Sequence, residues 1–225
     1  AQPQTTLAVP DPAVLVEMID RWEEQRKPAR VLLVMDVSGS MGDPATGEAR
    51  DTKLDLAKEA AITALEQFAP QDSVGLRIFS TEIGPDDHPE YVDLVPIEPI
   101  GQSAEALRTR IRSLVPTNGT PLYTVTQASY DQMVTDYDPA AINAVVLLTD
   151  GRNEDVNDDL QGLISSLQAG SEGRQAQPVR VFTIAYGQDA DQATMEAIAD
   201  ATNAADYDAS DPASIDKVFT SVISN

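Results

Sequence analysis

The 225-residue chain has no cysteine, which excludes disulfide frameworks and thiolate metal sites and leaves the compartment unreadable from redox chemistry. Histidine occurs once, as His88 in the acidic stretch Pro85-Asp86-Asp87-His88-Pro89, where it reads as a solvated loop residue. Positive charge is scarce: 15 Lys and Arg stand against 37 Asp and Glu, a net charge of -22. A surface of that sign repels nucleic acid and anionic membranes and attracts divalent cations. No nucleic-acid partner is therefore expected. No apolar run approaches the roughly 20 residues needed to cross a bilayer, so no direct membrane insertion of this segment is expected either. The chain also lacks a Gly-Lys-Ser/Thr phosphate loop, a Gly-x-Gly-x-x-Gly turn and a Gly-x-Ser-x-Gly elbow, which leaves nucleotide binding and serine-hydrolase chemistry without a motif.

What is present is an alternation of apolar runs and amphipathic stretches. Val31-Leu32-Leu33-Val34-Met35 carries no charge and predicts a strand buried on both faces. Comparable strands are expected over 74–79, 144–149 and 179–185, with a short one at 205–208. Pro96 and Pro99 demote 91–100 to an edge strand. Between them, Thr52-Lys53-Leu54-Asp55 reads as a capping box, followed by Leu54, Ala57, Ala61, Leu65 and Phe68 on one helical face. Leu107, Ile111 and Leu114 mark a second helix, and further helices are expected from Thr120 to about 137, over 160–168 and over 195–202. The length suits one α/β domain, and the alternation suits a mostly parallel sheet with helices on both faces. Residues 1–10, with Pro3, Thr5, Thr6 and Pro10 and no signal-peptide pattern, read as a linker from something upstream. Residues 11–28 predict a helix packed on the domain, with Val14, Leu15, Met18, Ile19 and Trp22 on one stripe. Asp211-Pro212 opens a terminal helix carrying Ile215, Val218, Phe219 and Val222.

Three segments carry oxygen donors, two at the ends of expected strands and one at the start of an expected helix. Asp36-Val37-Ser38-Gly39-Ser40 follows the first strand, at the carboxyl edge where open α/β sheets place their ligands. Asp150-Gly151 ends the run Ala144-Val145-Val146-Leu147-Leu148-Thr149. Asn118-Gly119-Thr120-Pro121 lies between them in the chain. Taken singly, each has an ordinary explanation as a polar turn, a strand exit or a helix N-cap. Their conjunction points to a metal site.

Together these segments resemble the von Willebrand factor A (VWA) domain and its metal-ion-dependent adhesion site, whose Asp-x-Ser-x-Ser, Gly-Gly-Thr and strand-end Asp they match in order. Gln71-Asp72-Ser73-Val74-Gly75-Leu76 is similar to the family's second-strand opening, and Ala201-Thr202-Asn203-Ala204 stands where many members carry Thr-Gly-Gly. The departures are Asn118 at a usual glycine and Asn203-Ala204 for a glycine pair; asparagine tolerates the left-handed backbone better than most residues. The resemblance implies a Rossmann-like, doubly wound, mostly parallel sheet with one antiparallel edge strand and helices on both faces, over residues 29–225. It implies that Ser38, Ser40 and Thr120, with Asp36 and Asp150, hold a metal. In the family the serines bind the ion directly, while the aspartates commonly act through water or by orienting hydroxyls. An all-oxygen donor set selects Mg²⁺, with Mn²⁺ or Ca²⁺ as alternatives. The missing ligand would be a partner protein's Asp or Glu carboxylate. The loops after Ser40 and after Asp150, with Asp43, Glu48, Asp51, Glu154, Asp155, Asp158 and Asp159, are expected to form an acidic rim around it. The amino-terminal segment is similar to what precedes this module in bacterial surface proteins with an upstream solute-binding domain, which implies an extracellular or cell-surface location.

Two other classes compete. One is a structural tether within such a surface protein, its metal unused. The other is a metal-dependent hydrolase. A phosphotransferase of the haloacid dehalogenase type needs a second aspartate where Ser38 stands, so its general acid is missing. No catalytic residue is assigned. Asp155-Val156-Asn157-Asp158-Asp159 imitates a calcium loop, but Leu160 replaces its glycine and Ser166 its closing glutamate.

Overall fold

A computed structural model describes residues 14, 26–45, 51–86, 88–155, 159–171, 177–187 and 190–208. The expected terminal helix, Trp22 with nearly all of the amino-terminal helix, and residues 156–158 of the imitation calcium loop lie outside them. In chain order the elements are β1 (Ala29–Asp36), α1 (Lys53–Ala64), β2 (Ser73–Phe79), β3 (Tyr91–Pro99), α2 (Ile100–Arg112), α3 (Leu122–Thr135), β4 (Ile142–Thr149), α4 (Leu160–Ser171), β5 (Val179–Ala185), α5 (Gln192–Asp200) and β6 (Asp206–Asp208). One sheet of order β3-β2-β1-β4-β5-β6 collects the strands. All neighbours are parallel except β2 and β3; β3 is an edge strand, as its prolines predict, and is antiparallel, as the family resemblance implies. The 160–168 helix extends to Ser171, and α3 stops at Thr135 rather than 137.

The apolar runs form central strands because alternate side chains enter two separate cores. From β1, Val31, Leu33 and Met35 enter one core with Leu54, Ala57 and Ala61 of α1 and Leu107 and Ile111 of α2. Leu32 and Val34 enter the other with Val125 and Met133 of α3, Leu163 and Leu167 of α4, and Met195 and Ile198 of α5. A strand covered by helices on both faces needs an unbroken apolar run, which is the pattern at 31–35. The capping box forms as expected: Asp55 N donates to Thr52 Oγ1 at 3.1 Å and Thr52 N to Asp55 Oδ2 at 3.1 Å. Hydrogen bonds from the Thr52 hydroxyl and amide hold the Asp55 carboxyl below its usual range.

Two polar side chains inside this frame were not foreseen. Arg77 in β2 is 1% exposed, donates to Asp93 of β3 at 2.7 and 3.0 Å and to Ser129 of α3 at 3.2 Å, and lies 3.9 Å from the Tyr91 ring. Tyr186 follows β5 in the α1-side core, and its hydroxyl has no hydrogen-bond partner among the described residues. Burial alone pushes that phenol far above its ordinary value. Because an unsatisfied buried hydroxyl costs about 1–3 kcal/mol, Tyr186→Phe should stabilise the domain by about 1 kcal/mol in urea unfolding; a loss of stability would show that the hydroxyl has a partner.

Candidate metal centre

At the carboxyl edge of the sheet the ends of β1 and β2 and the loops that follow them meet a third loop, the connection between α2 and α3, and are laced to it by backbone bonds. Val37 N donates to Phe79 O at 3.0 Å, Thr117 N to Val37 O at 2.7 Å, and Gly39 N to Asn118 O at 2.7 Å. Gly39 permits this approach, since a Cβ there would lie 3.3 Å from Thr117 O. Ser80, just past β2, joins the third loop: its hydroxyl donates to Gly119 O at 2.9 Å and accepts from Asn118 N at 3.0 Å. Asn118 does not take the left-handed backbone considered for it; its side-chain amide instead donates to Thr81 O at 2.9 Å. Asn203 does take it, at φ 54°.

The lacing brings the sequence-predicted donors to one place. Asp36 is fully buried at the end of β1. Its Oδ1 accepts from Ser38 N at 2.7 Å and its Oδ2 from the Thr149 hydroxyl. Both oxygens are thus engaged in orienting the loop. Burial pushes Asp36 up to about 7; hydrogen bonds from Thr149 and Ser38 act against that, and the charge of Asp150 adds a smaller upward push. Ser38 Oγ and Ser40 Oγ lie 3.2 Å apart, and Ser40 Oγ donates to Asp150 Oδ1 at 2.9 Å across 110 residues of sequence. Thr120 is 3% exposed. Its carbonyl accepts from Glu154 N at 2.8 Å, and the residue at the α3 cap is Pro121, with no side-chain cap bond. A cavity of about 290 Å³ opens on this junction, lined by Ser40, Asp43, Lys53, Thr120, Asp150, Arg152 and Glu154.

The donors present fit a hard divalent cation: three hydroxyls and two carboxylates, all oxygen, with no nitrogen or sulfur. Among the described residues no group of three or more His, Cys, Asp and Glu side chains is placed to hold a metal ion, so an ion bound among them would draw on hydroxyls. His88 is elsewhere, stacked on Tyr91 with ring centroids 4.5 Å apart.

Two features of the site escaped the sequence reading. Lys53 enters the cavity and its ammonium donates to Asp150 Oδ2 at 2.7 Å. Thr149 ties Asp36 to the end of β4 and also accepts from Gly151 N at 3.0 Å. Among the described residues the rim carries both signs. Asp43 and Glu154 line it beside Lys53 and Arg152, but Asp155 is bonded to Thr124 and Asp159 caps α4 through Gly162 N at 2.8 Å. Glu48 and Asp158 lie outside the described residues.

Comparison with known proteins follows the same lines. Residues 31–221 match the von Willebrand factor type A domain. No curated protein sequence matches the chain. Among solved structures, a von Willebrand factor type A protein from Catenulispora acidiphila is 23% identical with a TM-score of 0.64, over 87% of this chain and 42% of its own. The open conformation of the pilus adhesin SpaC from Lactobacillus rhamnosus GG is 16% identical with a TM-score of 0.62, over 89% of this chain and 30% of its own. The manganese-loaded TRAP protein of Plasmodium vivax is 16% identical with a TM-score of 0.58, over 86% of this chain and 73% of its own. At these identities the likeness is one of fold, and the chain spans less than half the length of the first two.

Proposed function

The chain belongs to the von Willebrand factor type A family, and from that premise we propose that it is a metal-dependent adhesion or assembly module that captures a carboxylate of a partner protein. Asp36, Ser38, Ser40, Thr120 and Asp150 would hold one divalent cation, Mg²⁺ in the first place, with Mn²⁺ or Ca²⁺ as alternatives. The ion would supply an electrophile that accepts the partner's Asp or Glu oxygen. The chain's own part is positional. Asp36, with both oxygens hydrogen-bonded, orients the Ser38 backbone, and Asp150 orients the Ser40 hydroxyl. The observation that carries the reading is the Ser40–Asp150 hydrogen bond, which joins two motifs 110 residues apart beside an open cavity.

Two relatives support it by what they are: a manganese-loaded protein and a pilus adhesin. A location outside the cell or on its surface, and an upstream domain in the same protein, go with the reading. A binding rather than a catalytic role goes with it too, since the Ser40 hydroxyl is committed to Asp150 and the Ser38 hydroxyl to Ser40.

Calorimetry with Mg²⁺ or Mn²⁺ should give one binding event, abolished in Asp36→Ala while circular dichroism shows the variant folded. Capture of partners from a cell-surface extract should be lost in EDTA. Unchanged ion binding in Asp36→Ala removes the site assignment, and capture that survives EDTA favours a tether over a metal-dependent binder.

A further inference from the structure

We propose that Lys53 is a resident counter-cation of this site, which weakens its hold on a divalent cation and offsets the repulsion its carboxylates exert on an anionic ligand. This rests on the metal-binding reading above. The ammonium meets Asp150 Oδ2 at 2.7 Å, with side chains only 10% and 5% exposed, so the pair is shielded from solvent screening.

Its placement runs against the local trend. Lys53 is the first residue of α1, where the positive end of the helix disfavours a cation, and a lysine at a surface helix end ordinarily extends its charge into water. Here the fold makes room for the opposite arrangement. Gly187 sits at φ 91°, and a Cβ there would lie 2.9 Å from Lys53 Cε and 3.5 Å from Cδ. The stem thus passes over a bare backbone. Lys53 N donates to Asp43 O at 3.0 Å, which fixes the start of the helix to the serine loop. None of these features is needed for a capping box, which uses Thr52 and Asp55 alone.

The consequence is electrostatic. With Asp36 and Asp150 ionised, a divalent ion would balance the two carboxylates, and Lys53 makes that inner group one charge more positive than it would be without the lysine. That charge repels the ion and attracts a carboxylate. At the cavity mouth the exposed Arg152 is matched by Asp43 and Glu154, so the difference between variants falls to Lys53.

The test uses the full chain, titrated calorimetrically with Mn²⁺ and Mg²⁺, in wild type, Lys53→Met, Lys53→Gln and Lys53→Arg, with thermal melts of the metal-free forms. Lys53→Met and Lys53→Gln should bind Mn²⁺ at least about tenfold more tightly than wild type, and Lys53→Arg within about threefold of it. The metal-free neutral variants should melt lower, since Asp150 loses its partner. A salt bridge that serves only folding would give the lower melting point without the tighter binding. Acetate, as a carboxylate probe, should perturb the electron paramagnetic resonance spectrum of bound Mn²⁺ at lower concentration in wild type than in Lys53→Met.

Equal or weaker Mn²⁺ binding in both folded neutral variants overturns the proposal, and the reverse acetate order overturns its second half. Should the neutral variants unfold without metal, refolding by Mn²⁺ at concentrations too low to shift the wild-type melt supports it, and failure to refold overturns it. Binding by Lys53→Met against none by wild type also supports it. Folded proteins that all fail to bind would bring down the metal reading itself, and this inference with it. Binding by wild type that Lys53→Met does not exceed brings down this inference alone.

Discussion

Asp72→Ala is expected to lower the unfolding free energy by about 3–5 kcal/mol, the cost of removing one partner from a buried ion pair. Asp72 is fully buried just before β2. Its Oδ1 accepts from Arg26 at 2.9 Å and from Ala29 N at 2.8 Å, and its Oδ2 from Arg26 at 2.6 Å and Ala69 N at 2.8 Å. One carboxylate thus fixes the approach to β1 and the approach to β2, and alanine would leave a guanidinium and two amides without their acceptor. Glu105 and Arg108, 2.9 Å apart with Glu105 84% exposed, offer the internal comparison: Glu105→Ala should cost less than about 1 kcal/mol. Urea unfolding of the two variants measures the contrast, and equal costs would refute the argument from burial.

The second large effect falls on ion binding. Thr149→Val should leave the fold intact yet lower Mg²⁺ or Mn²⁺ affinity by about 10- to 100-fold, the usual loss when a group that orients a metal ligand is removed. The side chains are close in shape, but the hydroxyl holds Asp36 Oδ2 and receives Gly151 N. It therefore governs how Asp36 is aimed and how the chain turns at Gly151, φ 77°, next to Asp150. Thr149→Ser retains the hydroxyl and should retain most of the affinity. A change below about twofold in Thr149→Val, by calorimetry, would place Asp36 outside the ion's surroundings.

The fold was readable because its signals are local. An apolar run at 31–35, prolines at 96 and 99, and a Thr52/Asp55 box each state the environment of their own segment. That the segments holding Asp36, Ser38, Ser40, Thr120 and Asp150 would meet was legible because short polar runs recur in order, two after strands and one at a helix start. Lys53 was hidden for a physical reason. At a helix start, flanked by Thr52 and Asp55, it has the sequence of a solvated position. Only the crossing of β4 beside β1 brings Asp150 to it, 97 residues on. Arg77 was hidden in the same way, since its partners lie on β3 and α3. Tyr186 gave no sign because an aromatic at a strand end packs equally well with or without a partner for its hydroxyl. Periodicity reports which face a residue occupies, and says nothing of what meets it across the sheet.

The two margins of the sheet carry a consequence for how copies of this domain can crowd together. On one side β3 has Pro96 and Pro99 exposed and two register shifts against β2, between Val74 and Leu76 and between Leu76 and Arg77; on the other, β6 is three residues long and reads Asp-Tyr-Asp. Neither offers the long, flat row of backbone donors and acceptors that a foreign strand needs to add itself. Dense arrays, whether on a surface or in a concentrated sample, should therefore resist fibril-like growth and strand exchange. Thioflavin T fluorescence should stay flat during prolonged agitation of the folded protein.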